Sequence, residues 1–369
     1  MWHRTSKLNN KQANEVWHRT EGGLTEQFNV ETIFGKKTDL LTLKKNVVTR
    51  LEENFKFYSK SRTDFFSNPQ NLQFVDCCPV CNTSSEETEY RTTIYSAAYY
   101  QCLHCSHIYL KEIPTLPAIE EFYRKNTQYA QTYTDRESAE FRLNAVDMEL
   151  AGFMEKRYEK IYNTRPSRIL DIGAGGGHFV EACKRKGYDA AGFEFSDSSV
   201  NFSKEVWGIN LDQRDYSKVY SEYKGYDVVS FWGLLEHVPN PQEFVAAAAA
   251  SIEGNKKGVI LCRVPKWDAV STVTQSLTPD SIVRHLDPLG HIMIYTESSI
   301  CELFRTVNYK PSAIWYYGMD TYELFIQLGH LQGNYDHLKS AGKLQMEVQQ
   351  KLDEYYLSDL MVMAFTPNQ

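Results

Sequence analysis

Short apolar runs alternate with segments of helical spacing from Arg168 to the end of the chain. The apolar runs predict seven strands, at 168–172, 189–194, 209–213, 226–231, 259–264, 312–317 and 360–366. Helices are predicted between them, where apolar positions recur every three to four residues. This alternation is typical of a mainly parallel sheet covered on both faces. Residues 166–369 are therefore predicted to form one α/β domain, with a helical insertion at about 320–355.

Three segments precede this domain. Residues 1–71 form a polar, irregular and partly helical extension, in which Trp-His-Arg-Thr occurs at 2–5 and again at 17–20. Two copies are too few for a repeat architecture, so they arise by chance or are arms that pack on a partner or on the protein itself. Residues 72–112 are a cysteine-rich module, and residues 113–165 are a helical linker or lid whose part at 138–162 is amphipathic.

Composition excludes several classes of protein. The chain has 369 residues, 42% of them hydrophobic, and a formal net charge of −7. It has no apolar stretch of about 18 residues, as a membrane helix needs, and its first residues lack the apolar core of a secretory signal. The acidic balance disfavours nucleic acid as a partner. We expect a cytoplasmic protein with a small-molecule substrate and no membrane partner, and the sequence leaves its oligomeric state open.

Four cysteines have the spacing of a metal site. Two Cys-x2-Cys pairs, separated by 20 residues, are formed by Cys78, Cys81, Cys102 and Cys105. Two such pairs complete a tetrahedral thiolate shell for a structural Zn²⁺ ion. Cys77 is a competing neighbour of Cys78, His104 and His107 are not expected to bind, and free thiols or a disulfide are the alternatives. The remaining cysteines, Cys183, Cys262 and Cys301, are expected in the core.

A glycine-rich turn follows the first strand of the α/β domain. It reads Asp171-Ile172-Gly173-Ala174-Gly175-Gly176-Gly177, and Glu194 follows 23 residues after Asp171, at the end of the next strand. Glycines let the backbone approach a ligand closely, although dinucleotide-binding folds use the same device. The leading acid suits a ligand with an ammonium group better than a pyrophosphate. Glu194 is placed to accept hydrogen bonds from both hydroxyls of a ribose.

Residues 168–264 resemble the class I S-adenosylmethionine-dependent methyltransferases, by this turn, by Glu194 and by Tyr226-Asp227-Val228-Val229 opening the fourth strand. The resemblance implies a Rossmann-like, seven-stranded α/β sheet. It also implies roles for individual residues. Asp171 and Gly173 hold the methionine end of the cofactor, Gly175 and Gly177 shape the turn, Glu194 holds the ribose, and Phe195 lies beside the adenine. Asp215, with Asp212 competing, meets the adenine amino group, while Phe231 and Trp232 lie under the sulfonium.

Candidate acid–base residues follow the fourth strand, in Leu235-Glu236-His237-Val238-Pro239. His237 is a candidate general base because imidazole accepts a proton near neutral pH, and Glu236 can orient it or titrate itself. Alternatively, His237 only packs against its loop. Ubiquinone-pathway O-methyltransferases have a further carboxylate three residues before the Glu, which completes a divalent-metal site. Gly233 occupies that position, so no catalytic metal of that type is expected.

The combination of a four-cysteine module and Glu-His after the fourth strand resembles, over about 78–320, the nucleotide-sugar C-methyltransferases. That resemblance implies tyrosines that close the site, here Tyr123, Tyr129 and Tyr133. His285, Asp287 and His291 occupy the loop that often covers the acceptor, and His291 is a candidate substrate residue. The chain departs from that family in two ways. Its sequence shows no counterpart to the family's further C-terminal Rossmann-like domain, and it has about 70 additional N-terminal residues. An O- or N-methyl acceptor therefore remains open.

The sequence thus predicts an S-adenosylmethionine-dependent methyltransferase with structural zinc, acting by C- or O-methylation on a small molecule, such as a nucleotide-linked sugar. An RNA methyltransferase with a zinc module is a second hypothesis. An inactive scaffold with a methyltransferase fold is a third.

Overall fold

The computed structural model describes residues 1–4, 14–36, 51–125, 134–253, 257–278, 284–336 and 342–368. Its strands are β1 Trp2–Arg4, β2 Asn14–Glu21, β3 Leu24–Phe34, β4 Leu72–Phe74, β5 Thr88–Ile94, β6 Ala97–Cys102, β7 Ile108–Leu110, β8 Glu112–Pro114, β9 Arg168–Ile172, β10 Asp189–Phe193, β11 Val228–Trp232, β12 Val259–Pro265, β13 Met293–Ile294, β14 Tyr309–Tyr317 and β15 Leu360–Pro367.

The helices are α1 Leu51–Phe66, α2 Leu116–Lys125, α3 Ala139–Arg142, α4 Met148–Tyr162, α5 His178–Arg185, α6 Asp197–Trp207, α7 Tyr216–Val219, α8 Pro241–Ile252, α9 Val270–Leu277, α10 Glu297–Arg305, α11 Asp320–Gln332 and α12 Gly342–Glu354. A π-helical segment, Leu143–Asp147, joins α3 to α4. Among the described helices, none has the length and apolar character needed to cross a membrane.

The central sheet has nine strands in the order β1-β2-β3-β14-β15-β12-β11-β9-β10. Strands β10, β9, β11 and β12 are parallel, β15 is antiparallel to both β12 and β14, and β3 is parallel to β14. The carboxyl ends of β10, β9, β11, β12, β14 and β3 therefore lie along one edge of the sheet, which we call the carboxyl edge. Ligands bind at this edge in open α/β sheets.

Both faces of the sheet are buried, which explains why its inner strands are almost continuously apolar. Helices α4 and α5 pack on one face, in a core that includes Ile169 and Phe179. Helices α8 and α10 pack on the other face, in a core that includes Leu170 and Ile172. Alternate residues of β9 thus contribute to opposite cores.

The strand count differs from the predicted seven at two places. The predicted third strand, 209–213, is reduced to a single bridge between Asp212 and Phe193. At the other end of the sheet, β1, β2 and β3 are added beside β14, and the sequence analysis did not predict them. The predicted insertion corresponds to α11 and α12, which lie between β14 and β15.

The two Trp-His-Arg segments pair with each other in antiparallel register. The partners are Trp2 with Arg19, His3 with His18 and Arg4 with Trp17. Both tryptophans are buried, and the Arg4 guanidinium lies 3.7 Å from the centre of the Tyr356 ring. Of the explanations offered by the sequence, the structure therefore favours arms that pack on the body of the protein.

The cysteine-rich module shares a strand with the α/β domain. Its sheet has the order β13-β7-β6-β5, and β13 comes from the segment between β12 and α10. A second, two-stranded sheet pairs β4 with β8. The module is therefore continuous with the loop that precedes β13, which carries His291.

Candidate active site

The glycine turn between β9 and α5 requires glycine at defined positions. Gly173, Gly175 and Gly177 have φ angles of +76°, +53° and +75°, in the left-handed region that side chains disfavour. A Cβ atom at Gly177 would lie 2.3 Å from the Ser203 hydroxyl oxygen. The backbone consequently turns sharply at the carboxyl edge and places the N-terminus of α5 beside it.

Asp171 lies directly under this turn. Its side chain is 2% exposed, and its Oδ1 accepts a hydrogen bond of 2.7 Å from the Ser230 hydroxyl. Burial raises the pKa of Asp171 to about 7, since desolvation disfavours the carboxylate. A cationic ligand would relieve this cost. The environment of Asp171 thus fits a ligand that carries an ammonium group.

Glu194 lies over the turn, directly after β10. Its Oε2 accepts a hydrogen bond from the Gly175 amide (2.7 Å), and its Oε1 accepts one from the Ser196 amide (2.8 Å). The carboxylate is therefore held at the carboxyl edge beside Asp171. The neighbouring Phe195 is 79% exposed, so its ring is available to stack on a planar group.

The two candidate adenine-binding acids already have partners. Asp215 caps α7, accepting hydrogen bonds from the amide (3.1 Å) and the hydroxyl (2.8 Å) of Ser217. Asp212 pairs with Arg214 at 2.7 Å and accepts the Tyr223 hydroxyl at 2.6 Å. Both are near the end of β10, and their contacts do not distinguish between them.

The last two residues of β11 point to opposite faces of the sheet. Phe231 is fully buried in the core on the α8 side. Trp232 lies on the α5 side, with its ring centre 4.9 Å from that of Phe179. Its indole Nε1 is buried and has no hydrogen-bond partner among the described residues. Of the pair, Trp232 offers a polar atom to a ligand, whereas Phe231 packs in the core.

His237 is fixed by a backbone carbonyl. Its Nδ1 lies 2.7 Å from the Gly290 carbonyl oxygen, and its Nε2 lies 3.9 Å from Oε1 of Glu236. A carbonyl oxygen only accepts, so Nδ1 carries the hydrogen and Nε2 keeps its lone pair in the neutral ring. The His237 side chain is 40% exposed, and in this form Nε2 is the hydrogen-bond acceptor of the ring.

Glu236 and His291 surround that nitrogen. Glu236 is 4% exposed, and burial raises its pKa. The His291 ring lies 4.8 Å from that of His237, and its Nδ1 donates to the His285 carbonyl oxygen at 3.0 Å. Burial lowers the pKa of His291 well below its ordinary value, so this ring is neutral. The structure therefore brings two predicted residues and the candidate substrate residue together.

One donor atom from each of Glu236, His237 and His291 lies within 4.8 Å of the others. His291 is thus the third donor of this group, whereas the resemblance would have a carboxylate at position 233. However, the Arg263 guanidinium lies beside Gly233. Its Nη2 is 3.3 Å from the Trp232 carbonyl oxygen and would be 3.7 Å from a Cβ at Gly233. A guanidinium beside the cluster opposes a divalent cation, so the arrangement favours acid–base chemistry.

Sequence reasoning missed two cations at the carboxyl edge. Arg263 is the one charged residue of β12, Val-Ile-Leu-Cys-Arg-Val-Pro, and that isolated charge in an apolar strand was a usable signal. Lys36 follows β3, with its Nζ 5.1 Å from the centre of the Tyr317 ring. Burial, followed by repulsion from Arg263, lowers the pKa of Lys36 to about 8. Nothing local in the sequence indicated Lys36, because β3 was not predicted.

The tyrosines that the resemblance expects to close the site stay a prediction. Tyr129 and Tyr133 lie outside the described residues, and Tyr123 lies in α2.

The four predicted cysteines form one cluster. The Sγ atoms of Cys78 and Cys105 are 3.6 Å apart, as are those of Cys81 and Cys102, and all four lie within 4.8 Å of one another. Four thiolates about 2.3 Å from one tetrahedral ion would be ~3.8 Å apart. Cys77 is exposed and outside the cluster, and none of the eight cysteines forms a disulfide. The cluster fits a Zn²⁺ ion with no open position.

Part of the chain is similar to known methyltransferases. Residues 146–313 match a family model described as a methyltransferase domain. The ubiquinone biosynthesis O-methyltransferases of Coxiella burnetii (strain Dugway 5J108-111) and Bordetella avium (strain 197N) are 29% and 32% identical over 107 and 111 residues. These matches cover 28% of this chain and 46% and 42% of the relatives. The chain thus spans less than half the length of these curated relatives.

Among solved structures, the plantazolicin methyltransferase BamL, in complex with a triazolic desmethylPZN analog and SAH, has a TM-score of 0.42 and 17% identity, covering 68% of this chain and 100% of its own. A SAM-dependent methyltransferase from Archaeoglobus fulgidus has a TM-score of 0.38 and 15% identity, covering 59% and 93%. The family model and the two curated relatives are all described as methyltransferases.

Proposed function

We propose that this protein transfers a methyl group from S-adenosylmethionine to a small-molecule acceptor. The observation that carries the proposal is the pair of carboxylates, Asp171 and Glu194, at the ends of adjacent parallel strands on either side of the glycine turn. Asp171 would hold the ammonium group of the cofactor, and Glu194 its ribose hydroxyls. Phe195 would lie against the adenine, and Trp232 near the sulfonium.

S-adenosylmethionine supplies an electrophilic methyl group on a positively charged sulfur. The contribution of this chain is to remove the acceptor's proton and to hold the acceptor in line. Nε2 of His237 receives the proton, because Nδ1 donates to the Gly290 carbonyl oxygen. Glu236, buried beside it, stabilises the resulting imidazolium. Nε2 of the neutral His291 ring would then accept a hydrogen bond from the methyl acceptor.

The acceptor is proposed to carry an anionic group, as a nucleotide-linked sugar does. Lys36 and Arg263 lie on the side of β11 opposite the glycine turn, and therefore on the acceptor side of the cofactor. The buried carboxylate of Asp147 lies near both cations, and the pair would still attract an anionic acceptor. Methylation at oxygen is supported by the names of the relatives, whereas the Glu-His pair also suits a carbon acid beside a keto group.

We also propose a structural Zn²⁺ ion on Cys78, Cys81, Cys102 and Cys105, supported by their mutual distances. An RNA acceptor is a weaker hypothesis, because the net charge of −7 provides little attraction for phosphates.

Cofactor binding is tested by calorimetry with S-adenosylhomocysteine. Asp171→Asn is expected to weaken binding at least tenfold, since it removes the charge that meets the ammonium group. Asp189→Asn, at the exposed start of β10, is the matched control and should bind normally. No binding to the wild-type protein, or equal affinity for Asp171→Asn, would contradict the cofactor assignment.

The acceptor is sought with labelled cofactor and paired anionic and neutral compounds, nucleotide sugars included, and mass spectrometry locates the methyl group. We expect transfer only to the anionic members. His237→Gln should lower kcat by about 10²-fold or more while leaving the affinity for S-adenosylhomocysteine unchanged. A near-normal kcat would make His237 a structural residue.

A further inference from the structure

The loop that carries Gly290 and His291 is attached to a helix more than 200 residues away in sequence. Arg62 of α1 forms a bidentate ion pair with Asp287, in which Nε lies 2.9 Å from Oδ1 and Nη2 lies 2.8 Å from Oδ2. The Arg62 side chain is 1% exposed, and its guanidinium lies 4.2 Å from the centre of the Tyr58 ring. Bidentate pairing fixes both the position and the plane of the carboxylate.

Asp287 in turn organises the backbone of this loop. Its carbonyl oxygen accepts hydrogen bonds from the amides of Gly290 (3.0 Å) and His291 (2.7 Å). Its carboxylate also faces the Leu289 amide, 3.4 Å away. The carbonyl of Gly290, which fixes the ring of His237, is therefore two hydrogen-bonding steps from Arg62.

The cysteine-rich module holds the other end of the same loop. The Tyr99 hydroxyl donates to the His291 carbonyl oxygen at 2.8 Å, and the Leu110 amide donates to that of Ile292 at 3.0 Å. Pairing of β13 with β7 follows immediately. With both ends fixed, the Gly290 carbonyl has little freedom to turn away from His237.

We propose that Arg62 is a positioning residue for His237, acting through Asp287 and the Gly290 carbonyl to keep the ring in its Nδ1–H form with Nε2 free. This inference rests on the proposed function. It gives the N-terminal region, in which no chemistry was predicted, a role in the reaction. Without the ion pair the loop keeps only its other anchors, so the carbonyl has more freedom to rotate and the ring exchanges more readily between its two neutral forms.

The test is nitrogen NMR of the histidine side chains, with S-adenosylhomocysteine added and His237→Gln used to assign the His237 signals. The wild-type protein should show His237 as the Nδ1–H form, and Arg62→Gln should show a mixture of both forms. Arg62→Lys keeps the charge but loses the second hydrogen bond to Asp287, so its fraction of the Nδ1–H form should be intermediate. Arg157→Gln breaks an ion pair with Glu31 elsewhere in the fold and controls for lost stability.

Activity gives a second, independent readout. Arg62→Gln should lower kcat by about 10- to 100-fold with little change in KM, as expected of a misplaced catalytic group. In the His237→Gln background the same change should have almost no further effect, because both act through one ring. An unchanged tautomer in Arg62→Gln overturns this inference, whereas failure of the wild-type protein to bind S-adenosylhomocysteine overturns the proposed function instead.

Discussion

The carboxyl group of Asp171 is held in a partly protonated state near neutral pH, because its pKa of about 7 lies far above that of a solvated aspartate. Its neighbour Ser230 donates a hydrogen bond to it, which partly offsets the cost of burial. An ammonium group placed against this carboxylate would favour its charged form and lower its pKa. In the proposed function, cofactor binding would therefore be linked to proton release at this residue.

The linkage predicts a pH dependence. Below pH 7 part of the free protein carries a proton on Asp171, which must leave when the ammonium group binds, so affinity rises as pH increases from 5.5 to about 8. The slope is at most about tenfold per pH unit. Calorimetry in buffers of different ionisation enthalpy should detect the released proton at pH 6. Asp171→Asn should abolish that release, and a pH-independent affinity of the wild-type protein would contradict the assignment.

For single residues, the sequence indicates sites formed by close neighbours in the chain but not sites assembled by folding. Cys78 and Cys81, or Asp171 and Gly173, are close in sequence, so local spacing was sufficient to select them as candidates. Arg62 and Asp287 are 225 residues apart, and only the folded chain brings them together. The contribution of His291 was suggested by resemblance, but its place beside His237 depends on β13 pairing with β7.

At the scale of elements, the hairpin β2–β3 was missed although a local signal was present. Gly22 and Gly23 connect the two strands, with φ angles of +56° and +82°, and Glu21 pairs with Leu24 across them. Two central residues with positive φ form the tight turn that suits strand twist, and Gly-Gly favours it. The predicted strand at 209–213 was wrong because its local signal was misleading. Its apolar residues Ile209 and Leu211 fill the core beside α5, and only Asp212 pairs with β10.

The hairpin turn gives a stability prediction. Gly22→Val should lower the free energy of unfolding by about 1–2 kcal/mol, because a β-branched residue is strained at positive φ. Gly22→Asn, which tolerates that conformation, should cost much less. A clash would not explain the difference between the two variants, because no atom of the described residues lies within 4 Å of a Cβ at Gly22. Denaturant unfolding measures both variants, and equal losses would argue against the turn geometry.

At the scale of the whole molecule, the cysteine-rich module is connected through Tyr295 to the segment that holds the proposed acid–base residues. Tyr295 follows β13, its ring lies 4.8 Å from that of His107 in the module, and its hydroxyl donates to the Leu235 carbonyl oxygen at 3.1 Å. Leu235 directly precedes Glu236. Through Tyr295 the module is therefore connected to the residue before the proposed acid–base pair, while β13 anchors the loop that carries His291. A metal that stabilises the module should consequently affect catalysis as well as folding.

Removal of one cysteine ligand tests that connection. Cys81→Ser should abolish stoichiometric zinc, measured by elemental analysis, and lower the melting temperature, because three thiolates hold the ion poorly. Cys77→Ser changes an exposed thiol next to Cys78 and is the matched control, with zinc content and stability retained. In Cys81→Ser, methyl transfer should fall more than affinity for S-adenosylhomocysteine, since the module contacts the loop of His291 rather than the glycine turn. A metal-free variant with full activity would show that the module does not support the site.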